Sequence, residues 1–94
     1  MVIPKREPVY LVKREHYAQF KSCCVDRDTL PDDYDAFLLQ RMRYEKSVRT
    51  AGRIPIRVYI IPSDFMNWCA GAGWTTTEES RERYADFLLS KNGK

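Results

Sequence analysis

Apolar positions along the chain change period several times, and each change marks an element. "VYLV" at 9–12 and "VYII" at 58–61 are short β-branched and aromatic runs, the pattern of a strand. Behind the first run, Tyr17, Phe20 and Cys24 fall at i, i+3 and i+7; behind the second, Phe65, Trp68, Cys69 and Ala72 fall at i, i+3, i+4 and i+7. Both are apolar stripes of a helix. Further on, Tyr34, Phe37 and Leu38 give an i, i+3, i+4 stripe, and so do Tyr84, Phe87 and Leu88.

Corresponding elements lie 49, 48 and 50 residues apart, and "DAFLL" at 35–39 returns as "ADFLL" at 85–89. The slips fall in connections, where insertions cost least. The pattern predicts one domain over 1–94 built from a duplicated β-α-α unit, about 9–50 and 58–91. The fold class it implies is α+β: a two-stranded antiparallel ribbon, strands at 9–12 and 56–61, carrying two helix pairs about a pseudo-twofold axis. Such a ribbon is marginal alone and leaves two open edges, which invites a partner or a second copy.

Punctuation sharpens the boundaries. Ser63 after Pro62 is the expected cap of the third helix, with Gly71 and Gly73 closing it. Thr76 and Glu79 have the spacing of a capping box for the last helix, which Lys91 and Gly93 finish. The second helix starts at the acidic Pro31-Asp32-Asp33 and stops at Gly52, making it the longest element and one that outgrows its counterpart. Phe37, Trp68 and Phe87 are the expected core anchors.

Composition narrows the function. The chain has 94 residues, is 44% hydrophobic and 31% charged, and carries 16 basic against 13 acidic side chains. That is globular and mildly basic, which does not by itself imply nucleic acid. No apolar run is long enough to span a membrane, and the N-terminal stretch lacks the apolar segment of a signal peptide. Three cysteines, Cys23, Cys24 and Cys69, are an odd set better suited to reduced thiols in a cytoplasm than to a disulfide framework.

Candidate chemistry is thin. His16 is the single histidine, and Cys23 and Cys24 are adjacent rather than spaced as metal ligands, so no metal is expected. No phosphate loop, dinucleotide fingerprint, nucleophile elbow or zinc-protease motif occurs. The acidic cluster Asp26, Asp28, Asp32, Asp33 and Asp35 lacks the glycine and final glutamate of a calcium loop and reads as a solvated turn. The expectation is a protein without enzymatic activity or cofactor.

One segment stands apart. Residues 41–57 hold Arg41, Arg43, Lys46, Arg49, Arg53 and Arg57 against one acid, Glu45. Arg43, Lys46 and Arg49 form a basic face beside the apolar arc, while Arg41, Glu45 and Tyr44 fall within or at its margin. Tyrosine and arginine dominate interface energetics. The expected function is therefore a small binding module that occupies a surface on a larger macromolecular assembly, protein or nucleoprotein. Its contact residues would be Arg41, Arg43, Tyr44, Lys46, Arg49, Arg53 and Arg57. Small motif-less regulators or inhibitors of phage or plasmid type have this style. The alternative is a nucleic-acid binder that sets the same segment on phosphates, although no base-reading motif is present.

Overall fold

The computed structural model describes residues 3–92. In order it contains β1 (Arg6–Leu11), α1 (Arg14–Cys23), a 3-10 turn (Arg27–Thr29), α2 (Tyr34–Thr50), β2 (Ile54–Tyr59), α3 (Pro62–Ala72) and α4 (Glu78–Asn92). The β-α-α order occurs twice, and the two strands are neighbours, as the sequence pattern predicts. Their direction differs from the expectation. β1 and β2 pair in parallel, each β1 residue facing the one 48 positions on, as Tyr10 faces Val58. The antiparallel ribbon, and the twofold axis through it, are overturned.

The cause is the path of α2. Its Tyr34 hydroxyl donates to the carbonyl of Val12 at 2.7 Å, its Arg41 Nε donates to the carbonyl of Tyr10 at 2.9 Å, and its Tyr44 hydroxyl donates to the carboxylate of Glu7. Going forward along α2 therefore means going backward along β1. The chain leaves α2 beside the start of β1, turns at Gly52 (φ 82°, a left-handed conformation that suits glycine), and enters β2 with Ile54 N–H bonded to Lys5 O at 3.0 Å. From that point only a parallel strand fits.

Caps explain the remaining boundaries. Asp33 caps α2, its carboxylate accepting from Ala36 N–H at 3.3 Å. At α3 the cap position is Ile61 with Pro62 as the first helical residue, so Ser63 lies inside the helix and caps nothing. Gly73 closes α3 with φ 74°, whereas Gly71 is helical. The expected Thr76–Glu79 box does not form. Thr76 Oγ1 instead donates to Cys23 O at 2.7 Å and accepts from Val25 N–H at 3.1 Å, tying the start of α4 to the end of α1. Asp26 reaches across to accept from Glu78 N–H at 3.1 Å. Gly93 lies outside the described residues.

Aromatic rings fill the core. Phe20, Phe37 and Phe65 are fully buried among Tyr10, Val12, Tyr17, Val58, Ile60, Cys24, Cys69 and Ala85. Each such side chain contributes roughly 1.5–3 kcal/mol by leaving water. The two halves make matching contacts. Tyr34 stacks edge-on to Tyr17 at 5.5 Å and meets Phe37 at 6.1 Å; Tyr84 meets Phe65 at 5.4 Å and Phe87 at 5.9 Å. Phe87 nevertheless stays 43% exposed and Trp68 is only partly buried, so neither anchors the core as Phe37 does. At 17 residues α2 is the longest element, and it runs further past Tyr34 than the described part of α4, 15 residues in all, runs past Tyr84. Tyr34 opens α2 while Tyr84 sits inside α4, so α4 adds a stretch before its tyrosine that α2 lacks.

Candidate functional site

Helix α2 presents the segment singled out by its cations, and the fold divides those cations into two groups. Arg41 turns inward. Besides its bond to Tyr10 O, its guanidinium lies 3.8 Å from the Tyr10 ring centroid and 4.8 Å from that of Tyr44. Tyr44 is held by Glu7; burial and then that carboxylate push its hydroxyl up to about 12. Arg53 also reaches Glu7, at 2.5 Å. The Tyr44 hydroxyl and the Arg53 guanidinium together hold the Glu7 carboxyl below its usual pKa. Arg57 makes a two-pronged pair with Glu45, Nε to Oε2 at 3.0 Å and the terminal nitrogen to Oε1 at 2.9 Å. Arg49 approaches the same carboxylate at 3.8 Å. Glu45 is buried, so its charge is compensated by two arginines rather than by water.

Arg41, Tyr44 and Arg57 therefore hold α2 to the sheet, Arg53 ties the connection after α2 to β1, and Arg49 is shared. Arg43 and Lys46 remain exposed, with no carboxylate paired to either among the described residues. With Ser47, Thr50 and Ala51 they border a shallow depression of about 400 Å³. A second, smaller hollow of about 130 Å³ lies between α2 and the sheet, lined by Val9, Leu11, Leu38 and Met42 together with Arg41, Glu45 and Arg57. Leu39 and Met42 stand about half exposed on α2. The arrangement is apolar surface bordered by cations.

A buried polar centre was not anticipated. Arg81 on α4 is fully buried; its terminal nitrogens donate to the two oxygens of Asp26 at 2.8 and 3.2 Å, and its Nε donates to the Tyr10 hydroxyl at 3.2 Å. Burial pushes the Asp26 carboxyl up, but the Arg81 hydrogen bonds and charge outweigh it and hold its pKa below the ordinary value. This staple joins the turn after α1, the first strand and the last helix. The acidic turn read as solvated thus contributes a structural carboxylate. Nearby, Glu82 Oε1 and one Arg41 terminal nitrogen are buried with no hydrogen-bond partner. Desolvation raises the Glu82 pKa, with Arg41 opposing and Glu78, Asp86 and Glu7 adding to it.

The cysteines and histidine do not converge. Cys23 Sγ lies 3.0 Å from Met66 Sδ, Cys24 and Cys69 are buried, and burial raises the pKa of all three thiols. Among the described residues no group of three or more His, Cys, Asp or Glu side chains is placed to hold a metal ion, and no helix is long and apolar enough to cross a membrane. Compared with protein-family models, with curated proteins and with solved structures, the chain matches none.

Proposed function

We propose that the protein is a small binding module, not an enzyme, and that it docks through the outward flank of α2 onto an acidic protein surface of a larger assembly in the cytoplasm. The observation that carries this reading is the pairing of half-exposed Leu39 and Met42 with Arg43 and Lys46, the two cations of the segment that no carboxylate engages. Apolar, methionine-containing patches bordered by cations have the composition of protein interfaces. The nucleic-acid alternative loses most of its support, because Arg41, Arg53 and Arg57 are already committed to Tyr10, Glu7 and Glu45. Too few free cations remain on this flank for the multiple phosphate contacts that non-specific binding requires.

Photo-crosslinking tests the reading. A photoreactive residue at position 42 should give discrete adducts in the native cell, and one at position 64, on exposed Asp64 of α3, should not. Arg43→Glu with Lys46→Glu should abolish the adducts while the fold is retained, since opposed like charges across an interface cost several kcal/mol. Equal labelling from both positions would sink the proposal. Steep, salt-sensitive retention on mixed DNA would favour the nucleic-acid reading.

A further inference from the structure

The two edges of the sheet are finished differently. On the outer edge of β1 the carbonyls of Tyr10 and Val12 are met by Arg41 and Tyr34. On β2, Ile54 N–H and Ile60 N–H turn toward β1, bonding Lys5 O at 3.0 Å and Leu11 O at 2.8 Å. The alternation of a strand then turns the main-chain groups of Arg57 and Tyr59 outward. Among the described residues nothing is bonded to them there.

The side chains along this edge are those of an interface rather than of a guarded edge. Ile54, Tyr59 and Ile61 are 44%, 49% and 47% exposed. Residues 54–61 hold a single charge, Arg57, already neutralised by Glu45. Edges that avoid association usually carry unpaired lysines or inward charges; here only Pro55 blunts the strand, at one end.

We infer that β2 pairs antiparallel with β2 of a second copy of this chain, about a twofold axis at Val58. The outward amides and the place of Pro55 decide the register. Centring the pair on Arg57 would oppose arginine to arginine and demand an amide hydrogen that Pro55 lacks. Centring it on Val58 opposes Arg57 to Tyr59 on both sides of the axis. Each of those pairs exchanges both N–H···O bonds, and none depends on Pro55. A guanidinium then faces a tyrosine ring across the strands, a favourable cross-strand pair, while Ile56 faces Ile60 on the other side of the sheet. In this register the outward main-chain groups of the edge find their counterparts and no arginine faces another. Two two-stranded sheets become one of four strands.

Sedimentation equilibrium of the full chain across the micromolar to millimolar range tests this. The expected result is a reversible dimer. Tyr59→Lys sets like charges in both cross-strand pairs and should weaken the dimer by about tenfold or more, with circular dichroism unchanged. Arg57→Pro removes an outward N–H and should weaken it too, whereas Arg57→Ala, which keeps that N–H, should weaken it less. Hydrogen exchange on the unmodified chain guards against misfolded variants: the amides of Arg57 and Tyr59 should gain protection as concentration rises. A monomer throughout the range overturns the inference. So does a dimer that persists in folded Tyr59→Lys and Arg57→Pro, or one whose formation leaves those amides unprotected. None of these outcomes depends on whether the flank of α2 docks a partner.

Discussion

Asp26→Asn is the most informative single change, because Asp26 and Arg81 differ in burial. The substitution keeps the shape of the side chain but leaves the Arg81 guanidinium, whose side chain is 1% exposed, facing a neutral amide. Breaking a buried pair from one side costs about 3–5 kcal/mol, since the remaining charge is left uncompensated. The reverse change, Arg81→Met, leaves Asp26 with a side chain still 24% exposed and still accepting from Glu78 N–H. Water can reach that charge, so its cost should be smaller, about 1–3 kcal/mol. The whole domain is worth about 5–14 kcal/mol at 0.05–0.15 kcal/mol per residue, so Asp26→Asn removes a large share. Urea unfolding, followed by the fluorescence of Trp68 and Trp74 and by circular dichroism, measures both variants. The pH dependence gives a second reading. The folded pKa of Asp26 is depressed, so its contribution is complete above the unfolded value near about 3.9 and is lost as pH falls through the folded one. The gap between wild type and Asp26→Asn should therefore close below about pH 4. An Asp26→Asn variant within about 0.5 kcal/mol of wild type at neutral pH, or an Arg81→Met variant that is the costlier, would refute this account of the staple.

Glu82 should behave in the opposite sense: its folded pKa is raised, so its favourable contribution is present at low pH and lost as pH rises through the folded value. Glu82→Gln should thus be more stable than wild type at neutral pH, with the advantage fading in acid, as urea midpoints at a series of pH values would show. Phe37→Ala should cost about 3–5 kcal/mol and Phe87→Ala much less, because the first ring is fully buried and the second is not; equal losses on thermal or urea unfolding would contradict the packing. Under native conditions a thiol reagent should label Cys23 before Cys24 and Cys69, and denaturant should expose all three; prior loss of a thiol to a disulfide would show as a deficit in that final count.

Local structure was legible in the chain because its signals are local. β-branched and aromatic runs placed both strands and period-3.6 stripes all four helices, in order, and Asp33, Gly52 and Gly73 marked real boundaries. Strand direction was not legible. It follows from where Tyr34, Arg41 and Tyr44 touch β1, contacts between residues 22 to 37 positions apart that no periodicity encodes. The same holds for the site. Arg41, Tyr44, Arg53 and Arg57 look like a free basic surface until Glu7, Tyr10 and Glu45 are brought beside them. Arg81 was hidden for another reason. Its neighbour Ser80 is also buried, so the inward side of α4 begins with two polar residues and continues with Tyr84 and Ala85. A hydropathy stripe starts too late there. The Asp26–Arg81 complementarity could only have been guessed by asking which carboxylate a misplaced arginine would need.

The position of β1 has a consequence for how the protein comes into being. Among the described elements this strand leaves the ribosome before the others, and the segments that bury it come later. Its register partner begins at Ile54, and the arginine that meets the Tyr10 hydroxyl is 71 residues further along. Until those segments have left the ribosome, Val9, Tyr10, Leu11 and Val12 form a bare apolar run with both edges unpaired. Closing contacts over such separations is slow compared with coiling the helices. At about 5–20 residues per second the strand must wait several seconds for its partners. During that interval its exposed edges are the part of the chain most in need of a chaperone.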